Sequence, residues 1–202
     1  MDKGHLRRDI FKQGNILRKK YHGGRLLGKG SYGSVYTEPR LPCEKEKFSD
    51  IKNLQEVSKL YPNEENREEI VKLHKILSTY FSNKEKKDLD QLIIVPDLPC
   101  KLDFNVIRKA RDTYNSNWFE DDIHNLYYYK YQAVSKKGVI DLRGKLKEEL
   151  SVVDFVSILK DTKNIYLGIK AFHDKGFIHA DLKTTNVVYH DNKLKLIGYN
   201  IE

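Results

Sequence analysis

The stretch that decides the fold covers residues 176–202 and reads GFIHADLKTTNVVYHDNKLKLIGYNIE. Its first part, His179-Ala180-Asp181-Leu182-Lys183-Thr184-Thr185-Asn186, brings an acid, a lysine and an amide close together in sequence. Two β-prone runs, Val187-Val188-Tyr189 and Leu194-Lys195-Leu196-Ile197, then flank Asp191-Asn192, which is the pattern of a hairpin with a tight turn. The stretch therefore predicts a polar loop followed by a small hairpin.

A glycine-rich stretch lies near the start, where Gly28-Lys29-Gly30-Ser31-Tyr32-Gly33-Ser34-Val35-Tyr36 has the spacing G-x-G-x-x-G-x-V. Glycine at these positions lets the backbone approach phosphate oxygens without a Cβ in the way. In a dinucleotide-binding fold the third glycine opens a helix, whereas here Gly33 precedes β-prone residues that lead into prolines. The loop is therefore expected to join two strands, with Tyr32 at its tip covering the phosphates.

Strands and helices alternate between these two stretches. Short β-prone runs predict strands at 57–60, 92–95 and 126–131. Residues 63–80 are expected to form a helix capped by Asn63. The longest helix is predicted at 154–175, with an apolar face formed by Phe155, Ile158, Leu159, Ile165, Tyr166, Ile169 and Phe172. This order of elements predicts an α+β fold with two lobes.

The sequence at 179–186 matches the H-R-D-L-K-x-x-N catalytic loop of protein kinases except at the arginine, and the glycine-rich loop has the kinase form. Over residues 23–200 the chain therefore resembles the protein kinase superfamily. Lys183, two residues after Asp181, resembles the serine/threonine-specific members. The chain is also similar to the divergent kinases of large DNA viruses in three features. These are the proline-containing stretch from Gly33 to Cys43, the short distance from the lysine to the helix, and a residue other than arginine before Asp181.

The resemblance implies a two-lobed kinase-like fold with a complete N-lobe, made of an antiparallel sheet and one helix, and a truncated helical C-lobe. Its domains would be a basic leader at 1–22, the N-lobe and hinge at 23–134, and a partial C-lobe at 135–202. In the catalytic loop, Asp181 would accept or position the proton of a substrate hydroxyl and Lys183 would neutralise the transferred phosphoryl group. Asn186 would hold a metal ion.

An ATP site is implied as well. The phosphate loop would be formed by Gly28, Gly30, Ser31, Tyr32, Gly33 and Val35. The lysine that holds the α- and β-phosphates is expected at Lys59, with Lys52 as a rival, and its partner acid at Glu69 on the helix. Residues 131–134, ending at Val134, would meet adenine through backbone groups, and Asp141 would lie near the ribose.

The family pattern fails after residue 197, where D-F-G is replaced by Gly198-Tyr199-Asn200. Tyr199 can replace the phenylalanine as a packing residue. Gly198 offers no side-chain oxygen to the Mg²⁺ that bridges the β- and γ-phosphates, and losing one preorganised electrostatic group typically costs ~10²–10³ in rate. ATP binding with weakened Mg²⁺ dependence and weak or lost transfer is therefore expected.

Two further departures bear on regulation and surface. Ala180 cannot bind an activation-loop phosphate as the usual arginine does, so control by phosphorylation of that loop is not expected. The sequence also stops before any activation segment or A-P-E motif. An apolar face of the 154–175 helix is therefore expected to be exposed unless something else covers it.

Composition sets outer limits on the function. A hydrophobic content of 39% in 202 residues is typical of a globular chain, and no apolar run approaches the ~20 residues of a membrane span. The net charge is +8, but no nucleic-acid motif accompanies it. Several basic residues fall in the leader: Lys3, Arg7, Arg8, Lys12, Arg18, Lys19 and Lys20. A solvated leader is the simplest interpretation.

Cys43 and Cys100 lie far apart and lack C-x-x-C spacing. Free thiols in a reducing cytoplasm, the host cytoplasm for a viral protein, are therefore expected.

Three functions are compatible with this pattern. The chain is either a serine/threonine kinase-like protein that binds ATP and has weak or no transfer activity, or one half of a split kinase. The third alternative is a pseudokinase that serves as a non-catalytic protein-interaction module. A protein substrate or protein partner is expected in each case.

Overall fold

The computed structural model describes residues 26–30, 33–37, 40–46, 56–105, 108 and 128–202. These residues fall into two compact units. The first contains the described residues up to Asn66 together with those in Pro99–Val134, and the second contains Arg67–Leu98 and Ser135–Glu202. The predicted leader, Ser31, Tyr32 and Lys52 lie outside the described residues.

The first unit is built on a five-stranded sheet with the order β1-β2-β3-β5-β4. Its strands are β1 (Leu26–Gly30), β2 (Gly33–Thr37), β3 (Glu56–Tyr61), β4 (Cys100–Lys101) and β5 (Tyr131–Lys136), of which residues 131–134 belong to this unit. The pairs β1/β2, β2/β3 and β4/β5 are antiparallel. The two strands predicted around the glycine-rich loop and the strand predicted at 57–60 are thereby confirmed.

One face of this sheet carries a small core of five buried residues, which are Tyr36, Leu41, Leu60, Leu102 and Tyr129. Ser34 and Ser58 are buried on the same face, because residues alternate between the two faces of a strand. The hydroxyls of Ser34 and Tyr129 share a hydrogen bond of 2.6 Å. The core is therefore partly polar.

The second unit contains most of the helices. These are α1 (Glu64–Tyr80), of which residues 67–80 belong here, α2 (Asn83–Leu89), α3 (Leu142–Lys145) and α4 (Val152–His173). A 3₁₀ turn (Thr184–Asn186) leads into the antiparallel hairpin of β6 (Val187–His190) and β7 (Lys193–Leu196). The predicted helices at 63–80 and 154–175 and the predicted hairpin are confirmed to within two residues at each end.

Local chemistry explains where these elements begin and turn. Ser82 and Glu85 form a capping box at the start of α2, and Ser151 and Asp154 form another at the start of α4; each satisfies backbone N–H groups that have no partner within the helix. In the β6–β7 turn Asp191 and Asn192 have φ of 52° and 57°, the left-handed pair that a two-residue hairpin turn needs.

The core of the second unit is larger and apolar. The buried residues are Leu73, Ile76, Leu77, Phe81, Leu89, Ile93, Ile165, Phe172, Val187, Leu194, Leu196, Tyr199 and Ile201. Helix α4 contributes Ile165 and Phe172 and approaches residues 92–93 closely at Gly168, where an added Cβ would lie 3.3 Å from Ile93.

Two predicted strands are wrong. Residues 92–95 form no strand, because the chain turns off the end of α2 and only Ile93 makes a single parallel bridge to Leu196. The run is apolar because Ile93 belongs to the core and Leu92 and Val95 pack against it. The strand predicted at 126–131 instead begins at Tyr131 and continues to Lys136; residues 126 and 127 lie outside the described part.

The prediction that Cys43 and Cys100 are free thiols is also wrong. Cys43 and Cys100 form a disulfide with a Cα–Cα distance of 5.7 Å. The pairing comes from the fold, because residues 42–44 run along β4: Cys43 bridges Leu102, and the Glu44 N–H donates to the Lys101 carbonyl at 2.8 Å.

Part of the predicted apolar face of α4 is exposed. Ile158, Ile165 and Phe172 are buried, but Phe155, Leu159 and Tyr166 are 49%, 54% and 63% exposed. In the first turn of the helix Val152 and Val153 are 81% and 78% exposed. The expectation of an exposed apolar face on this helix is therefore confirmed. Among the described helices, none is long and apolar enough to cross a membrane.

Candidate active site

The glycine-rich hairpin lies in the first unit, where Gly30 and Gly33 pair at the end of β1 and β2. Gly33 has φ of +149°, and a Cβ there would overlap the carbonyl oxygen of Leu60 on β3. Only glycine therefore fits this position. At Gly28 an added Cβ would meet nothing within 4 Å, so the space beside this backbone is open.

Three of the predicted ATP-binding residues form a row across the sheet. Gly28 on β1 pairs with Val35 on β2, and Val35 pairs with Lys59 on β3. Directly opposed residues share one face of a sheet, and this face is opposite to the one that carries the core residues Tyr36 and Leu60. Lys59 places its Nζ 5.0 Å from the centre of the Tyr61 ring, a cation–π distance. The row is therefore the best-defined part of the predicted ATP site.

Three other residues predicted to bind ATP lie apart from this row. Glu69 lies partly buried on α1 in the second unit, and its pairing with Lys59 stays a prediction. Val134 is buried within β5, so the segment predicted to meet adenine is a strand. Asp141 caps α3, because its Oδ1 accepts the Gly144 N–H at 2.6 Å.

The predicted catalytic residues come together in the second unit. Lys183 Nζ lies 2.7 Å and 2.9 Å from the two carboxylate oxygens of Asp181. Asn186 Nδ2 donates to the backbone carbonyl and to Oδ2 of Asp181, at 2.8 Å each. The 3₁₀ turn at Thr184–Asn186 folds the chain back so that the amide reaches the acid. One carboxylate is thus held by a cation and an amide.

Electrostatics keep this carboxylate ionised. The hydrogen bond from Lys183 holds the pKa of Asp181 below its usual value, partial burial opposes this, and the Asn186 bond adds to the lowering. A carboxylate whose charged form is hydrogen-bonded in this way resists protonation. The carboxylate of Asp181 can orient a hydroxyl and accept its proton. The ammonium group of Lys183 places a positive charge beside the carboxylate oxygens.

His179 supports the loop from the core side, a role that residue spacing alone did not assign. Its Nδ1 accepts the Asp181 N–H at 3.4 Å, and its Nε2 lies 3.3 Å from the Ile197 carbonyl, so Nε2 is placed to donate to that carbonyl. The ring packs 5.4 Å from that of Tyr199. The position of His179 at the head of the loop motif was the sequence signal for this role.

Tyr199 is a core residue, as its expected packing role requires. It is 2% exposed, its hydroxyl donates to the Leu196 carbonyl at 2.7 Å, and its ring lies 6.1 Å from that of Phe172. Burial raises the pKa of Tyr199 well above its ordinary value, so the hydroxyl stays a neutral donor.

Gly198 has a geometric reason to be glycine. Its φ is +71°, and a Cβ would lie 2.6 Å from Cγ and 2.7 Å from Oδ1 of Asn186. The Asn186 amide therefore occupies the space that any other side chain would need. In the part of the chain that the structure describes, no three His, Cys, Asp or Glu side chains gather into a metal site.

The residues present fit a metal ion only in part. Asn186 uses Nδ2 for its two bonds to Asp181, which leaves Oδ1 as its ligand atom, and Asp181 supplies carboxylate oxygens, the ligand type that Mg²⁺ prefers. Gly198 adds no side-chain ligand.

No protein-family model matches the chain, but it is similar to curated kinases. It is 26% identical over 193 residues to CBL-interacting protein kinase 10 of Oryza sativa subsp. japonica, which covers 95% of this chain and 34% of that protein. It is 30% identical over 196 residues to mitogen-activated protein kinase kinase kinase 1 of Arabidopsis thaliana, covering 95% of this chain and 26% of that protein.

A third similarity is shorter. The chain is 33% identical over 85 residues to serine/threonine-protein kinase PSK1 of Saccharomyces cerevisiae (strain ATCC 204508 / S288c), which covers 41% of this chain and 6% of that protein. The chain thus spans about a third or less of the length of these relatives. The three similarities, each to a protein kinase, support placing the chain in the protein kinase superfamily.

Proposed function

We propose that the chain binds ATP and acts as a serine/threonine kinase-like protein whose phosphoryl transfer is weak or absent. The observation that carries this proposal is the cluster of Asp181, Lys183 and Asn186. It supplies a hydroxyl-positioning carboxylate, a cation for the phosphoryl oxygens and an amide oxygen for a metal ion. The row of Gly28, Val35 and Lys59 supplies a face for the nucleotide.

Each residue has a definite task in this proposal. The glycine backbone and Lys59 would hold the phosphates, with Ser31 and Tyr32 in the same loop. Asp181 would orient the substrate hydroxyl and accept its proton, and His179 would hold the Asp181 backbone in place. Mg²⁺, when bound by Asn186 Oδ1 and Asp181, would neutralise phosphate charge. The lack of a side-chain ligand at Gly198 is the reason to expect weak metal dependence and slow transfer.

Nucleotide binding is tested by thermal shift with ATP, ADP and GTP, each with and without Mg²⁺. We expect ATP to raise the Tm, with only a small further effect of Mg²⁺. Lys59→Met should abolish the shift, whereas Lys130→Met, which removes an exposed lysine of the same unit, should keep it. No shift with any nucleotide would overturn the proposal.

Phosphoryl transfer is tested separately, with radiolabelled ATP and peptides that contain serine, threonine or tyrosine. We expect slow labelling of serine and threonine peptides, and none with Asp181→Asn, because asparagine cannot accept the proton. Labelling that survives in Asp181→Asn would show that this residue is not the group that acts on the hydroxyl.

A non-catalytic interaction module is the second candidate, favoured by the exposed apolar residues of α4. The other half of a split kinase would be one such partner. In a pull-down, Asp181→Asn should keep a partner of this kind and the double variant Val153→Ser, Leu159→Ser should lose it. The opposite result would tie partner binding to the active site.

A likeness to kinases of large DNA viruses, and with it a host-cytoplasmic location, is supported by Ala180 before Asp181 and by the proline-containing segment after β2.

A further inference from the structure

The disulfide between Cys43 and Cys100 has an asymmetric environment. Gln132 Nε2 lies 3.4 Å and Arg40 Nη1 lies 3.8 Å from the sulfur of Cys43. Among the described residues no donor reaches the sulfur of Cys100. The described surroundings therefore place two hydrogen-bond donors near the sulfur of Cys43 and none near the sulfur of Cys100.

Both donors to Cys43 are held in place. Gln132 is fully buried on β5, and its Nε2 also donates to the Leu41 carbonyl. Arg40 is fixed by two bonds to Glu46, at 2.6 Å and 2.8 Å, and Glu46 also accepts the Cys43 N–H at 2.9 Å. A guanidinium and an amide N–H aimed at sulfur stabilise the thiolate, which is the nucleophilic form of cysteine. The negative charge of Glu46 offsets part of the positive potential that Arg40 creates at the sulfur. The same carboxylate holds Arg40 in position.

We propose that Cys43 is an oxidation site for hydroperoxides and that Cys100 is its resolving thiol. The Cys43 thiolate attacks the terminal oxygen of the hydroperoxide, the O–O bond breaks, and Cys43 becomes a sulfenic acid while alkoxide or hydroxide leaves. The Cys100 thiol then attacks the Cys43 sulfur, the S–O bond breaks and water leaves, giving the disulfide. The hydroperoxide is reduced by two electrons and the two thiols are oxidised by two.

The reaction changes how one segment is held. In the oxidised chain, residues 42–44 are tied covalently to the edge strand β4, beside the backbone bonds from Glu44 to Lys101 and from Asp103 to Pro42. The same segment follows β2 and precedes β3 in sequence, and these strands carry Val35 and Lys59. Oxidation therefore fixes residues 42–44, which lie between the two strands in sequence, against β4. The proposal concerns thiol chemistry and does not rest on nucleotide binding.

The assignment of roles is tested with hydrogen peroxide and a dimedone-type sulfenic acid probe. In Cys100→Ser we expect the probe to label Cys43, because no resolving thiol is present. In Cys43→Ser we expect little or no label on Cys100. Equal labelling in the two variants, or stronger labelling of Cys100, would overturn the assignment.

A second measurement uses the unmodified chain and so does not depend on the folding of a variant. After reduction and removal of the reductant, less than one equivalent of iodoacetamide is added and peptides are mapped by mass. Cys43 should be alkylated first, and peroxide alone should restore the intramolecular disulfide. Alkylation of Cys100 first, or failure of peroxide to form the disulfide, would contradict the proposal.

Arg40→Gln tests the source of the reactivity. Loss of the cation should slow alkylation of Cys43 at pH 7 by roughly threefold, since a smaller thiolate fraction is partly offset by its greater intrinsic nucleophilicity. Arg143→Gln, which removes an exposed arginine on α3 in the second unit, is the matched control and should leave the rate unchanged. Equal rates in the two variants would show that Arg40 does not activate Cys43.

Discussion

At Gly198 the backbone has φ of +71° and the Asn186 amide lies where a Cβ would be. The glycine at position 198 is therefore required by the packing of Asn186. Asn186 can sit against the backbone at residue 198 and still donate twice to Asp181. An aspartate at position 198 would displace the Asn186 amide, so Gly198→Asp would change the contacts of Asn186 as well as add a carboxylate.

Gly198→Ala should lower the free energy of unfolding through two separate costs, the left-handed backbone and the overlap with Asn186. Gly176→Ala separates them, because Gly176 has φ of +82° but nothing within 4 Å of an added Cβ. We expect a loss of about 1 kcal/mol for Gly176→Ala from backbone strain, and a larger loss, by about 1 kcal/mol or more, for Gly198→Ala. Urea denaturation of both variants measures the difference; equal losses would mean that Asn186 moves aside freely.

The ionisation of Asp181 gives a second prediction at this scale. Because the hydrogen bond from Lys183 is the largest cause of its lowered pKa, Lys183→Met should raise the pKa of Asp181 toward its ordinary value, and the Asn186 bond should keep part of the lowering. The pKa of Asp181 is measured by a ¹³C NMR titration of labelled aspartate carboxyls. The Asp181 signal is assigned by its absence in Asp181→Asn. Lys160→Met, an exposed lysine on α4, should leave the midpoint unchanged. An unchanged midpoint in Lys183→Met would mean that the ion pair is absent in solution.

Among the elements, those defined by local chemistry were predictable. The hairpin was predicted from Asp191-Asn192 between two β-prone runs. The helix at 63–80 was predicted from Asn63 and the apolar periodicity after it, and the helix at 154–175 was predicted from its apolar periodicity. The structure of residues 92–95 was not predictable in this way. A short apolar, β-prone run has the same sequence pattern whether it forms a strand or an irregular segment that packs in the core. The disulfide joins residues separated by 57 positions, and spacing alone carries no information on such a contact.

The capping box of α2 provides a test at the element scale. The hydrogen bond from Lys175 and those from Ser82 lower the pKa of Glu85 from 4.5 to about 2. A lowered pKa means that the carboxylate stabilises the fold fully above pH 4.5, and that this contribution is lost as the pH falls from 4.5 toward 2. Glu85→Gln should therefore be less stable than the unmodified chain at pH 6 and should lose less stability on acidification.

The measurement is the urea midpoint of the unmodified chain and of Glu85→Gln at several pH values between 6 and 2.5. Glu68→Gln makes the same chemical change at an exposed position on α1 and should follow the unmodified chain. Parallel curves for Glu85→Gln and the unmodified chain would show that the capping box does not form in solution.

On the scale of the whole molecule, the two units are stabilised by different means. The described hydrophobic cluster of the second unit has thirteen buried residues. That of the first unit has five, and Ser34, Ser58 and Gln132 are buried polar residues of the same unit. In the described part of the chain, Ser58 Oγ and Gln132 Oε1 are buried without a hydrogen-bond partner, which costs about 1–3 kcal/mol for each group. We therefore expect the disulfide to contribute more to the stability of the first unit than to that of the second.

Reduction of Cys43–Cys100 should destabilise the first unit selectively. In the chain-entropy description, a cross-link over a separation of 57 residues removes about 4 kcal/mol of unfolded-state entropy, so hydrogen exchange in 40–46, β4 and β5 should accelerate strongly when tris(2-carboxyethyl)phosphine is added. Exchange in α4, β6 and β7 should change little, because their core contains neither cysteine. The double variant Cys43→Ser, Cys100→Ser should show the reduced pattern without reductant. Equal acceleration in both units would mean that the cross-link stabilises the chain as one cooperative body.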